Sequence, residues 1–453
     1  MENTPLYDAL RSFAATDPLR MHMPGHKGRP LPAPELAGLA NIDFTELPPT
    51  GDLFDGGGAI EQAEQLWAEV FGMPHCLFLT GGSTQGVLSA LTLACRPGDG
   101  VLLDRGCHRS AYNALALMDL HPIYLERPWL TEAGITGPID PAEVERQLDC
   151  HPEIHTLCIT SPTYYGVLSD LPALAAVMHR RGGYLVVDAA HGAHLPFLGD
   201  TSLAAADLAV VSTHKTLPAP GQTALLLSGP AFSQADLRRV GSLYGSSSPS
   251  YPMMAALDVC RAHMLEKGAA AYRDTAKEVD RLRQDYPSLT PADAPLDPTR
   301  FVLRCADGFT AQARLEELGV WPEMADVGHV VFIPTCADTR ADFARLRAAL
   351  DLLLPGVPRL LPPPPPLPVS VCSPRQALFA PRTHVPLSAA EGRTAAQAIA
   401  PYPPGIPIVA PGEQIEKKTI AYLYEIGYNR WEDIPVLSSA GCVSCGDGGT
   451  SFP

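Results

Sequence analysis

Between Ala59 and Thr213 the chain alternates two hydrophobic periods. "AIEQAEQLWAEVFG" repeats its apolar positions every three to four residues and ends on Gly72, which predicts an amphipathic helix. "CLFLT", "GVLLD", "PIYLE", "TLCIT", "YLVVDAA" and "LAVVST" are short, continuous apolar runs. A run apolar at every position predicts a strand buried on both faces. The segments between them, "GGSTQGVLSALTLACRPG", "HRSAYNALALMD", "DPAEVERQLD" and "LPALAAVMHRRGG", read as helices. Strand alternating with helix predicts a parallel sheet covered on both faces, with ligands at the carboxyl ends of its strands.

On either side the pattern changes. Residues 1–58 read as an arm: one short helix near Tyr7–Ala14, then "MHMPGHKGRPLP" and "ELPPTGDLFDGGG", too rich in Pro and Gly for a core of their own. Past Pro249 two long helical patterns lead into strand–helix–strand, "FVLRC", "AQARLEELGV" and "HVVFIPT", with a closing helix at 340–354. The expected division is an arm (1–58), a large α/β domain (59–248), a smaller α+β domain (249–356), a proline linker (357–368) and a C-terminal domain (369–453) with a disordered tail.

The net charge of −16 disfavours nucleic acid and anionic membranes as partners. No apolar run reaches the roughly 18–20 residues of a membrane span. The start of the chain has no basic segment followed by an apolar one, so no signal peptide is expected. Eleven scattered cysteines, an odd number, argue against a disulfide framework and for the cytoplasm. The Cys442/Cys445 pair in the tail has no second pair near it, so no metal is expected.

The polar residues that interrupt this pattern carry the candidate chemistry. Gly81 and Gly82 open a strand-to-helix turn. Ser83 and Thr84 would cap the helix, and its free N–H groups suit a phosphate. Asp188 ends one strand, and Ser212, His214 and Lys215 follow the next. An amine, a carboxylate, a histidine and a phosphate cup at one sheet edge suit pyridoxal 5′-phosphate. The lysine forms a Schiff base with its aldehyde, and the aspartate keeps its ring nitrogen protonated. A surface lysine at a strand end is the plain alternative.

Beyond these residues, the stretches "MHMPGHKG", "TGGSTQGVLSA", "DRGCHRSAYNAL", "SPTYYGVLSDL", "VVDAAHGAH", "STHKTLPAPGQTALL", "YGSSSPSYPMMAALD" and "PYPPGIPIVAPGEQI" resemble the ornithine/lysine/arginine decarboxylase family, in that order along nearly the whole chain. The resemblance implies a fold type I large domain with a mainly parallel seven-stranded sheet and decarboxylation of a basic amino acid, arginine ranked first, with agmatine and CO2 as products. It implies that Lys215 binds the cofactor, Asp188 pairs with the pyridine nitrogen and His108 stacks on the ring. Ser83, Thr84 and Ser212 hold the phosphate with His214 close by, and His191 sits near the phenolic oxygen. Ser246 and Ser247 reach a partner's site across a homodimer or a dimer of dimers, and Glu413 meets the substrate's distal cation. An aminotransferase or another lyase on the same fold stays open, with Arg304 as a grip for the α-carboxylate, as does a non-catalytic regulator that binds the cofactor.

Overall fold

The structure is a computed structural model that describes residues 3–353, 356–400, 406–428 and 433–438. Helix α1 (Pro5–Ala15) begins the arm, and α2 (Gly58–Phe71) ends at Gly72, whose φ of 64° makes the left-handed turn glycine permits. Then come β1 (His75–Leu79), α3 (Gly82–Ala94), β2 (Gly100–Asp104), α4 (Arg109–Met118) and β3 (His121–Leu125). A short hairpin of β4 (Trp129–Leu130) and β5 (Ile135–Thr136) interrupts the alternation. It resumes with α5 (Pro141–Cys150), β6 (Thr156–Thr160), α6 (Leu171–Arg180), β7 (Tyr184–Asp188) and β8 (Leu208–Val211). The single turn α7 (Thr213–Thr216), β9 (Ala224–Ser228) and α8 (Gln234–Tyr244) complete the large domain.

The seven strands form one sheet in the order β1-β9-β8-β7-β6-β2-β3. From β8 through β3 every neighbour is parallel, while β9 runs antiparallel to both β8 and β1. Strands β6 and β8 are buried at every position, as their apolar runs predict, and β9, which the sequence pattern did not single out, is buried throughout as well. The register sets Asp188 beside Thr160 of β6 and Val210 of β8. Residues at the carboxyl ends of three adjacent strands therefore share one edge.

The arm belongs to this body. Leu6 and Leu10 are fully buried in the large core, and Asp258 accepts the Leu6 and Tyr7 N–H groups at 2.9 and 3.1 Å. Asp258 lies on α9 (Tyr251–His263), which the sequence pattern assigned to the small domain. The structure differs: Tyr251, Met254 and Leu257 lie in the large core, and the Leu257 carbonyl accepts the Trp67 indole N–H at 3.0 Å. Helicity alone does not say which sheet a helix covers. The crossing comes in α10 (Ala269–Asp285), where Tyr272 faces the large core and Val279 and Leu282 face the small one.

The small domain holds β10 (Phe301–Arg304), α11 (Gly308–Glu317), β11 (Met324–Ala325), β12 (His329–Phe332) and α12 (Arg340–Leu350). Its sheet is antiparallel, in the order β10-β12-β11. The C-terminal segment has its own small core. Helices α13 (Pro374–Phe379) and α14 (Lys417–Glu425) accompany an antiparallel pair, β13 (Arg382–Pro386) with β14 (Asp433–Leu437), around Ile399, Val409, Leu423 and Val436. The tail with Cys442 and Cys445 lies outside the described residues. No described helix is long and apolar enough to cross a membrane.

Candidate active site

Lys215 sits on α7, the single turn that β8 runs into. Its Nζ is 3.2 Å from His191 Nε2 and 5.6 Å from the centre of the Tyr164 ring. Burial lowers its ammonium from the ordinary range, and Arg300 adds to that, while Asp188 and Glu323 oppose it. Asp188 is buried at the end of β7, and one of its oxygens accepts the Ala190 N–H at 3.1 Å. Burial pushes its carboxyl above the usual range against the pull of Lys215. The amine and the acid thus share one desolvated cleft.

Three histidines surround it. His191 follows β7 in a tight turn, its ring 4.4 Å from that of Tyr164. His214 donates Nδ1–H to the Thr223 carbonyl at 2.9 Å, which leaves Nε2 as its free nitrogen. His108 caps α4, with Nδ1 accepting the Ser110 N–H at 3.2 Å. Burial, then the charges of Lys215 and Arg109, push His108 down to about 4. It is therefore a neutral, flat ring near pH 7.

The phosphate cup departs from expectation in one respect. Gly81, not Ser83 or Thr84, is the residue at the helix cap, and no side chain makes a capping bond there. Gly82 takes φ of 73°, so the helix starts two residues earlier than a serine cap would start it. Ser83, half-buried, and Thr84, exposed, stand instead in the first turn, where backbone N–H groups have no helical partner. Ser212 Oγ is fully buried with no hydrogen-bond partner among the described residues. A buried hydroxyl of that kind calls for a polar ligand.

An amine, an acid, a flat neutral ring, an orphan hydroxyl and an open helix start fit a phosphorylated pyridine aldehyde. The sequence matches the family model for the Orn/Lys/Arg decarboxylase major domain over residues 4–299 and that for the C-terminal domain over 367–429. This chain belongs to the Orn/Lys/Arg decarboxylase family. It is a pyridoxal-phosphate-dependent amino-acid decarboxylase, a carboxy-lyase of fold type I. Among its relatives, the arginine decarboxylase of Bacillus subtilis is 29% identical, covering 93% of each chain. The uncharacterized protein YaaO of the same organism is 32% identical over 93% of this chain and 94% of its own. The lysine decarboxylase LdcF of Francisella novicida superposes with a TM-score of 0.78 at 20% identity, covering 96% of this chain and 81% of that one.

Within this decarboxylase, Glu413 is not a free carboxylate. Arg105 binds it with two bonds of 2.8 and 2.7 Å, and the Ala410 N–H donates to it at 2.7 Å. It is 1% exposed. The motif "PGE" shows an acid, but the partner comes from a residue 308 positions away, which sequence spacing cannot reveal. Arg304 is likewise taken, by Asp293 at 2.5 Å. Ser246 and Ser247 are exposed in the loop between α8 and α9.

Three residues at the cleft escaped sequence reasoning. Tyr164 covers His191, Arg300 is buried behind it, and the exposed Glu323 acts electrostatically on both Lys215 and Arg300. The one usable signal was Arg300 itself, a cation directly ahead of the apolar strand "FVLR".

Proposed function

We propose that this decarboxylase converts arginine to agmatine and CO2, taking up one proton. The observation that carries the reading is the desolvated Lys215 amine, which meets His191 at 3.2 Å and shares its cleft with buried Asp188. Full-length similarity to a relative named arginine decarboxylase supports arginine over lysine or ornithine. When bound, pyridoxal 5′-phosphate supplies the aldehyde that captures the substrate amine and the electron-accepting ring.

The residues divide the remaining work. Lys215 would supply the amine that binds the aldehyde, and Asp188 the acid that would pair with the ring nitrogen. His108 would offer its neutral ring to the cofactor ring, and His191 would serve the phenolic oxygen. Ser83, Thr84, Ser212 and the first-turn N–H groups of α3 would hold the phosphate, with His214 nearby. Lys215 Nζ or His214 Nε2 returns a proton to the α-carbon. Glu323, exposed and in electrostatic reach of Lys215, offers a carboxylate to the substrate's guanidinium, a role that Glu413 gives up to Arg105. A planar guanidinium and a carboxylate suit each other in two parallel bonds.

Exposed Leu243 at the end of α8, with exposed Ser246 and Ser247 in the loop that follows, supports a homodimer in which that loop reaches the partner's cleft, alone or as half of a dimer of dimers. Cys76, Cys95, Cys107, Cys158 and Cys260 are buried free thiols, which supports a cytoplasmic protein. Incubating the protein and its cofactor with arginine, lysine and ornithine separately, and identifying the amine formed, tests the reading. Agmatine and CO2 in equal amounts are expected. A preference for cadaverine or putrescine overturns the substrate, and a keto acid without CO2 overturns the reaction class in favour of an aminotransferase.

A further inference from the structure

Behind Lys215 a buried row of polar groups runs into the start of the small domain. Lys215 Nζ is 3.2 Å from His191 Nε2, and His191 Nδ1 is 3.4 Å from Arg300 Nη2. Arg300 is 1% exposed, just ahead of β10. Its stem is fixed against Gly166, where an added Cβ would lie 2.7 Å from Arg300 Cβ. Its nearest carboxylate oxygen, on Asp297, is 3.9 Å away. The other Asp297 oxygen is occupied by His194 Nε2 at 3.1 Å, the Thr299 N–H at 2.8 Å and the Thr299 hydroxyl at 2.9 Å. Arg300 Nε and Nη1 have no hydrogen-bond partner among the described residues. The bond to His191 is therefore the main directed contact of this guanidinium.

The chemistry of donors and acceptors then leaves one arrangement. A guanidinium only donates, and a neutral imidazole has one acceptor nitrogen and one N–H. With Nδ1 accepting from Arg300, the ring proton sits on Nε2 and points at Lys215 Nζ. An ammonium there would oppose donor to donor, whereas a neutral amine has a lone pair to accept with. We propose that Arg300 is a positioning residue that fixes His191 as its Nε2–H tautomer and thereby holds Lys215 as a neutral amine. The proposal rests on the reading of Lys215 as the amine that captures the cofactor aldehyde, since only the neutral form can do so.

Other groups face this pair and set the balance it must overcome. Asp188 and Glu323 favour an ammonium on Lys215, and Arg300 opposes one. Lys215, Arg300, His108 and His194 all disfavour a second proton on His191. Tyr164 packs over His191 and Lys215.

The test uses the full chain freed of cofactor, so that the amine itself is visible. Histidine labelled with 15N reads the His191 tautomer by NMR, its signal assigned by its loss in His191→Gln. The Nε2–H pattern is expected in the wild type, moving toward Nδ1–H in Arg300→Met. The rate at which an amine reagent labels the Lys215 peptide, followed by mass spectrometry, should fall about tenfold at pH 7.5 in Arg300→Met, one pKa unit of lost neutral amine. His191→Gln should keep the wild-type rate, because its amide can accept from Arg300 and donate toward Nζ, while His191→Phe should lose it. An Nδ1–H tautomer in the wild type, or equal labelling in all four proteins, overturns the proposal. If Arg300→Met does not fold, the Gln and Phe variants decide alone. Failure of the underlying reading shows separately: borohydride would then fix no pyridoxyl group on wild-type Lys215, whatever the tautomer.

Discussion

At the residue scale, two groups carry predictions that their surroundings dictate. Lys215→Ala removes the amine that no neighbour can replace, since Asp188 and His191 lack a primary amine. Turnover should fall below detection, and reductive labelling with pyridoxal phosphate and borohydride should vanish from the 212–227 peptide. Decarboxylation at the native rate would sink the site. His108 makes a different prediction. Its imidazole is held near 4 in the folded chain, against an ordinary value of about 6.5 when unfolded. Between those values the unfolded chain takes up a proton that the folded chain does not, so stability falls as pH drops through the window and this contribution levels off below it. His108→Phe keeps a flat ring without the proton. From pH 7.5 to pH 5 the wild type should lose about 2 kcal/mol more than this variant in urea unfolding. Parallel losses would show that the His108 ring is not desolvated. Lys215, Asp188, Ser212 and His214 were legible as a group, because strand ends can be read from apolar runs. Arg300 and Tyr164 were not, because their role depends on a side-chain contact between separate segments.

At the element scale, the strand-to-helix turn before α3 shows what a glycine does at this site. An added Cβ at Gly82 would meet only the Gln222 backbone oxygen, 3.8 Å away, and side-chain carbon at 3.9 Å, so space is not the obstacle. The obstacle is φ of 73°, a left-handed conformation that costs an alanine about 1–2 kcal/mol. Gly82→Ala should therefore either lower stability by that amount or relax the turn. Relaxation would move the first-turn N–H groups and weaken cofactor retention about tenfold, read by dialysis and absorbance. Unchanged stability together with unchanged retention would rule out this turn as the phosphate cup. The sequence placed this turn but misplaced its cap. A Gly-Gly-Ser-Thr run allows several starting residues, and the left-handed glycine selects among them.

At the scale of the whole molecule, the Arg105–Glu413 pair ties the C-terminal segment to the large domain. Arg105 also stacks on Tyr124, with its guanidinium carbon 4.6 Å from the ring centre. Glu413→Gln leaves that guanidinium largely buried without its counter-charge, a loss of about 3–5 kcal/mol. The thermal midpoint should drop, and proteases should cut the proline-rich 357–368 stretch sooner. A raised KM with unchanged stability and proteolysis would instead return Glu413 to the substrate. Apolar periodicity by itself determined the α/β alternation, the buried sheet and the edge where Asp188 and Lys215 meet, because the burial of each strand is written into its own residues. Only the tertiary structure decided that α9 joins the large core, that β9 runs against its neighbours, and which cation each buried acid receives. Those outcomes depend on which surfaces meet after collapse, and residues hundreds of positions apart carry no local record of their encounter.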